Sequence, residues 1–595
     1  MTDRSNSQPV DTLPEWNLAD LYPAPDSPAL AADLDRAERD ARAFRRRWRG
    51  KLAAADGKAF GGAIEAYEAI SELAARAESY AQLLHASDLS DAGTAKFRQS
   101  VRERVTAITG ELLFFTLEIN RMEDDEIENK LADPGAARYR PWLRDVRLSR
   151  PHRLNEETER LFHVKRLTGR AAWTRLFDET MAALRFPVGG KDLTSQQALH
   201  LLSDPDAAIR REAAGSVGRI LGDNARLFAL IANTLAKDKE IEDGWRGYDT
   251  PQAARHLSNR VEAPVVDALT RAVTEACPRL SHRYYALKAH WFGVDALEYW
   301  DRNAPLPGDE DADIPWSEAA EIVLDAYGAF SPRMRGIGAR FFDGRWIDAA
   351  PRAGKSPGAF SHSTVPSAHP YILLNYQGGT RDVMTLAHEL GHGVHQVLAG
   401  AQGRLMAETP LTLAETASVF GEMLTFRALL ARDGDGARRK RLLAAKVEDM
   451  LNTVVRQIAF YRFESIVHEE RREGELTAER LCDIWLDVQR HSLGPAIRLD
   501  GDYRYYWTYI PHFVHSPFYV YAYAFGDCLV NSLYAVHEAG APDFPEKYLA
   551  MLEAGGTLHH RELLAPFGLD ASEPAFWAKG LSLIETMIDE LEDAA

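Results

Sequence analysis

GGTRDVMTLAHELGHGVHQVL, residues 378–398, carries His388 and His392 four positions apart, with Glu389 beside the first. On an α-helix, side chains at i and i+4 stand one above the other on one face. Two imidazoles so placed can reach one metal ion, and the neighbouring Glu389 can take a proton from a water held there. The surrounding residues predict a helix. Val383, Leu386, Ala387, Leu390, Val394 and Val397 recur at helical spacing. Thr380 is expected as its N-cap, and Asp382 suits the positive end of the helix dipole. Gly391 and Gly393 each cost a helix roughly 1 kcal/mol against Ala. They are read as room for a metal or for passing substrate backbone.

The pattern is the H-E-x-x-H of zinc peptidases. A catalytic zinc takes three protein ligands and keeps a position open for water. Downstream candidates for the third ligand are His395, Glu408, Glu415 and Glu422. LTLAETASVFGEMLTFRALL (411–430) has helical apolar spacing. Glu415 stands there among small residues, where an uncompensated carboxylate would be costly and a metal would compensate it. Glu415 is therefore the expected ligand. Glu422, seven residues on, is expected to orient a ligand histidine, and His395 is a second candidate for that part.

Upstream, YILLNY (371–376) reads as a short strand leading through a glycine turn into the metal helix. An exposed sheet edge there could take an extended peptide as an added strand. Tyr371, Ile372, Leu373, Leu374, Asn375 and Tyr376 are the expected substrate-binding residues. RFFDGRWID (340–348) reads as a hairpin turning at Asp343-Gly344.

The chain has 595 residues, too many for one simple core. Helical patterns dominate from Ala29 onward, after a polar, proline-punctuated arm over residues 1 to about 28. A soft boundary near 195 divides a helical N-terminal domain (1–195) from a catalytic domain (196–595). The formal charge of −18 disfavours nucleic acid as a partner, since phosphate binding needs a basic face. No apolar run approaches the ~18 residues that span a bilayer, and no signal peptide is visible at the start of the sequence. Cys277, Cys482 and Cys528 lie far apart with no C-x-x-C pair, so a reducing cytoplasm is expected.

The sequence resembles the oligoendopeptidase F family of zinc peptidases, related to thimet oligopeptidase. The residues that carry the resemblance are WNLADLYP (16–23), HPYILLNYQGGTRDVMTLAHELGHGVHQ (369–396), LAETASVFGE (413–422), RQIAFYRFE (456–464), IPHFVHSPFYVYAYAFG (510–526) and LLAPFGLDASEPAFWAKGL (563–581). The resemblance implies a mainly α, zincin-type fold with a small β-sheet beside the active site and a deep substrate channel. It implies one zinc ion per chain on His388, His392 and Glu415, with Glu389 as general base. It implies cleavage of internal bonds in short, unstructured peptides. His512 matches the family's oxyanion-stabilising histidine best. Tyr519 and Tyr523 share a helical face and are the tyrosines expected beside it, with Tyr521 as a rival. RQIAFYRFESIVHEE (456–470) has no metal spacing and is read as structural.

Overall fold

The computed structural model describes residues 13–306, 313–432, 436–499 and 501–593; the first twelve residues of the expected arm fall outside these. Two compact units emerge, each assembled from separate stretches of chain. One comprises residues 1–150, 311–432 and 540–567, and the other 151–310, 433–539 and 568–595.

In the first unit, α1 (Pro28–Trp48), α2 (Gly57–Ser87) and α3 (Ala92–Arg121) pack side by side. Each begins at a side-chain cap, Ser27, Asp56 and Asp91 respectively. Phe44, Tyr67, Phe115 and Trp142 form the aromatic core of this layer. The basic run at the end of α1 sits in its last turn, where Arg45 donates to Glu111 over 2.9 Å.

Beyond this layer come α4 (Trp316–Phe330) and α5 (Pro332–Asp343), then a three-stranded sheet. Its strands are β1 (Ile347–Asp348), β2 (Phe360–His362) and β3 (Tyr371–Leu373). β3 is central: β1 pairs with it in parallel, Ile347 opposite Ile372, and β2 antiparallel, Ser361 opposite Ile372. The hairpin expected over 340–348 does not form. Arg340 to Asp343 complete α5, and Gly344 is its C-cap rather than a turn residue. Helical spacing of Met334, Gly338 and Phe341 on the buried face outweighs the local Asp-Gly signal.

α6 (Thr380–Ala399) follows the sheet and packs on α5, on the strands and on α7 (Thr416–Arg432). Its N-cap is Gly379, not Thr380. Asp382 does the capping, its Oδ2 accepting from the N–H groups of Gln377 (2.9 Å) and Gly379 (3.0 Å). α8 (Phe544–Glu553) also packs on α6.

The second unit is built from long helices, including Ala225–Arg246, Val455–Glu473, Ala478–Leu493, Tyr521–Glu538 and Pro574–Asp593. The last two pack closely, with Ser532 Oγ donating to the Phe576 carbonyl at 2.8 Å and Trp577 buried against Phe525. All three cysteines are free and buried. Among the described residues, no helix is long and apolar enough to cross a membrane.

Candidate active site

α6 and α7 bring His388, His392 and Glu415 together. Glu415 Oε2 lies 3.4 Å from the Nε2 atom of His388 and 3.4 Å from that of His392. A metal about 2.0–2.1 Å from each ligand in tetrahedral geometry requires ligand atoms roughly 3.3–3.4 Å apart. The site fits a tetrahedral ion such as zinc. Its electrostatics agree. Burial alone would raise the Glu415 carboxyl, but the bond and charge of His392, then His388 and Ser418, hold it at about 2. Burial alone would lower His388, yet Glu422, Glu415 and Glu389 raise it to about 9. The surroundings of the His388 imidazole therefore favour a cation.

Glu415 does not lie within a continuous helix over 411–430. It sits at the break between the short turn Leu411–Ala414 and α7. Ser418 Oγ donates to its Oε2 at 2.7 Å, and the Tyr548 hydroxyl, from α8, donates to the next residue's carbonyl, Thr416, at 2.8 Å. Glu422 stands one contact behind the metal position, its Oε1 2.6 Å from His388 Nδ1. That bond fixes the ring and leaves Nε2 as the ligand atom. His395 makes no such bond to either ligand among the described residues. It projects instead into the wall of a cavity of about 510 Å³ that also reaches His392, Gln396, Arg404 and Glu408. Burial, with repulsion from His392, pushes its imidazole down to about 4 and keeps it neutral.

The glycines of α6 serve packing rather than the metal. A Cβ at Gly391 would collide with the Ala417 carbonyl and Ser418 Cα of α7, and one at Gly393 with the Phe341 ring of α5. The missing Cβ at Gly391 lets α7 approach closely enough to present Glu415 to the histidines. The Tyr327 hydroxyl donates to the Ala387 carbonyl at 2.6 Å, next to His388. Tyr327, Tyr548 and Ser418 were not legible from the chain order; their partners lie on other elements or depend on the break at Glu415.

Glu389 is 7% exposed. Burial raises its carboxyl above the ordinary range, against the lowering effect of His388 and His392 and of a bond from the Ser361 backbone. That bond ties the base to β2. The expected edge, 371–376, is not one. Tyr371, Ile372, Leu373 and Leu374 are buried, and β3 is paired on both sides. The Tyr371 and Tyr376 hydroxyls donate to the carbonyls of Asn17 and Ile314, and Asn375 Nδ2 donates to those of Ser356 and Gly358. The outer side of β1 is met by Pro14–Asn17, through Ala349 N–H to Pro14 O and Asn17 N–H to Arg345 O. β2 is the remaining edge. The short apolar run marks a strand, but a central strand and an edge strand share that signal.

Residues 335–583 match Peptidase family M3, and residues 118–186 match Oligopeptidase F. The chain is 25% identical to oligopeptidase PepF of Bacillus subtilis, across 100% of this chain and 88% of that protein. It is 26% identical to the group B oligopeptidase PepB of Streptococcus agalactiae, across 89% and 90%. The chain belongs to the oligoendopeptidase F family of M3 peptidases. It is a metallopeptidase that cleaves internal bonds of short peptides. Two solved structures share the fold. A peptidase from Chlamydophila abortus superposes with a TM-score of 0.88 at 22% identity, across 100% of this chain and 99% of that one. Oligoendopeptidase-F from Enterococcus faecium does so at 0.69 and 23%, across 95% and 97%.

His512, Tyr519 and Tyr523 belong to the second unit, where they form a cluster. His512 Nε2 lies 3.4 Å from the Tyr523 hydroxyl, and the Tyr519 ring sits 5.2 Å from that of Tyr523. Burial lowers the His512 imidazole, with Arg456 and His515 adding to it, so the ring is neutral near pH 7. The loop before Tyr519 is held by distant groups. Arg170 donates to the Val514 carbonyl (2.7 Å), Arg255 to that of Pro517 (3.2 Å), and the Phe518 N–H donates to Glu464 (3.0 Å). Phe518 takes a left-handed backbone, φ 58°. Tyr521 is no rival: it is fully buried, and its hydroxyl meets Asn259 Nδ2 at 2.9 Å and His256 Nδ1 at 3.1 Å.

Proposed function

We propose that the chain is a zinc oligoendopeptidase holding one zinc ion on His388, His392 and Glu415. The observation that carries this is the pair of 3.4 Å spacings between Glu415 Oε2 and the two imidazoles. When bound, zinc supplies a Lewis acid that polarises the scissile carbonyl and makes water acidic enough to attack near neutral pH. Glu422 holds the His388 ring in place. Glu389 takes the proton of the attacking water and delivers it to the leaving amine. Its raised carboxyl suits both duties. An extended peptide laid along β2 passes beside this base, because the Ser361 N–H already bonds its carboxylate. Such backbone pairing tolerates many sequences.

We assign His512 and Tyr523 as neutral donors to the carbonyl oxygen as it gains negative charge, with Tyr519 packed beside them. Their mutual contact and the neutral state of His512 support this. Residues 196–595 contain all these groups and are assigned to catalysis, with 1–195 as an N-terminal helical part. We further infer a cytoplasmic home, supported by three unpaired, buried thiols. The substrate is a short peptide, with no nucleic acid involved; the charge of −18 supports the latter.

The test is mass spectrometry of peptides of about ten residues, long enough to fill an extended site, before and after chelation. The expected result is internal cleavage that stops on chelation and returns with zinc. Removal of residues from one end only, or cleavage indifferent to chelation, overturns the reading.

A further inference from the structure

The cavity of about 510 Å³ beside His395 lies wholly within the first unit, and the proposed chemistry leaves it unused. Its volume is that of a ligand pocket. His392 forms part of its wall, so the cavity begins at the metal position itself. Another part is the loop that follows β2, including Ser363 and Thr364. There the chain leaves the line of the strand. Thr364 takes a left-handed backbone, φ 56°, which is rare for a β-branched residue, and its Oγ1 donates to the His369 carbonyl at 2.8 Å. Gln396, from α6, joins the cavity to the strand, its Oε1 accepting from Ser361 Oγ at 2.9 Å. Ser361 is also the residue whose backbone bonds Glu389. Ser363 stands two residues beyond it, about 7 Å along a strand. A peptide laid along β2 past the base thus reaches the cavity within about two residues of the bond being cut.

The lining is unevenly charged. The guanidiniums of Arg340 and Arg404 and the carboxylate of Glu408 border the cavity, and among the described residues none of the three forms an ion pair. Arg340 lies over the Trp346 ring, 5.1 Å from its centre. Arg340 and Glu408 are exposed, whereas Arg404 is half-buried and therefore less screened by solvent and salt. His395 is 6% exposed, borders the same space and has no hydrogen-bond partner among the described residues. A neutral imidazole still has one N–H to give. Positive charge and unmet donors exceed what the one exposed carboxylate can satisfy.

We propose that this cavity is a side-chain subsite that selects an acidic residue of the peptide, Asp or Glu, within two positions of the cut. Arg404 is its specificity-determining residue, and His395 supplies a further donor. The inference rests on the reading of the chain as a peptidase with its substrate along β2. A guanidinium meets a carboxylate in two-point geometry. The volume admits any side chain, so charge rather than size does the selecting.

The experiment uses a peptide of about ten residues, long enough to fill an extended site. Glu, Gln or Lys is placed in turn at each of the two positions on either side of the cut, and product masses confirm that the same bond is cleaved. With the wild-type protein, one position is expected to favour Glu over Gln in kcat/KM by about ten-fold or more, the scale of a hydrogen bond to a charged group, and to disfavour Lys. Arg404→Glu is expected to reverse that order and favour Lys, a gain that loss of the fold cannot mimic. Arg404→Lys is expected to keep a weaker preference for Glu. A glutamate drawn by the metal alone keeps its advantage in Arg404→Glu, and that result overturns the assignment. Wild-type cleavage in which Glu gains nothing over Gln at any position also overturns it, and leaves the peptidase reading intact. Cleavage of none of the peptides overturns both. The wild-type comparison stands even where the variants do not fold.

Discussion

In the first unit, His388 and His392 hang from one helix, and the group that completes them, Glu415, arrives at the break just before a helix pressed against it. In the second, His512, Tyr519 and Tyr523 gather around a loop held by Arg170, Arg255 and Glu464 from three other elements. The first arrangement gets its precision from regular backbone, with the missing Cβ of Gly391 setting the approach of α7. The second gets it from side chains that reach across the unit to backbone groups. A site built the first way tolerates no change in the helix crossing. A site built the second way can be loosened one clamp at a time.

The sharpest break in the first arrangement is Glu389→Gln. The amide keeps the shape but cannot take a proton. The expected loss in kcat is about 10²–10⁴-fold, the worth of a general base, with metal content unchanged. Equal loss of bound metal would show that the residue serves the site's structure instead. Glu422→Gln is smaller. The His388 ring keeps a hydrogen-bond partner but loses the charge behind it, so metal affinity should fall about 10–100-fold. Titration of the apo-protein with zinc against a competing chelator measures this. An unchanged affinity would make Glu422 a packing residue.

Next in size is Gly391→Ala, expected to cost about 1–3 kcal/mol by overpacking. Its new methyl meets backbone of α7, which cannot swing aside. Gly393→Ala meets only the Phe341 ring and should cost less. Chemical denaturation of both variants tests the order. If Gly393→Ala proves the worse, the α6–α5 contact and not the α6–α7 crossing sets the site.

The same contrast explains what could be read from the sequence. The i, i+4 histidines and the adjacent base follow from helical period alone, and Glu415 and Glu422 stood out as carboxylates on a face of small residues. The role of Gly391 did not, because a metal's space and a helix's approach demand the same missing Cβ. The strand over 371–376 was legible as a strand, but its central position depends on β1 and β2, whose register no local pattern encodes. Thr380 resembled a cap, yet Asp382 reaches two N–H groups from inside the helix. In the second unit, His512 and its tyrosines were reached through resemblance. The clamps that hold them were out of reach, since Arg170 and the Val514 carbonyl are 344 residues apart.

The smallest effect tests the clamp design through Glu464. This carboxyl is 2% exposed, accepts the Phe518 N–H with Oε1, and leaves Oε2 without a partner among the described residues. Burial raises it to about 8, with only partial relief from that N–H and from Arg255 and Lys239. The folded protein therefore binds a proton here that the unfolded chain, with a carboxyl near 4.3, releases. Between those values the native state holds more protons, so stability falls as pH rises from about 4 to about 8 and then levels off. Glu464→Gln keeps an acceptor for Phe518 and cannot ionise. It should remove that slope, so that its stability relative to the wild type rises between pH 5 and pH 8. Urea denaturation at the two pH values reads the effect. A variant that loses stability equally at both would mean that the negative charge itself holds the loop, through Arg255 and Lys239, and that the clamp is ionic rather than a neutral hydrogen bond.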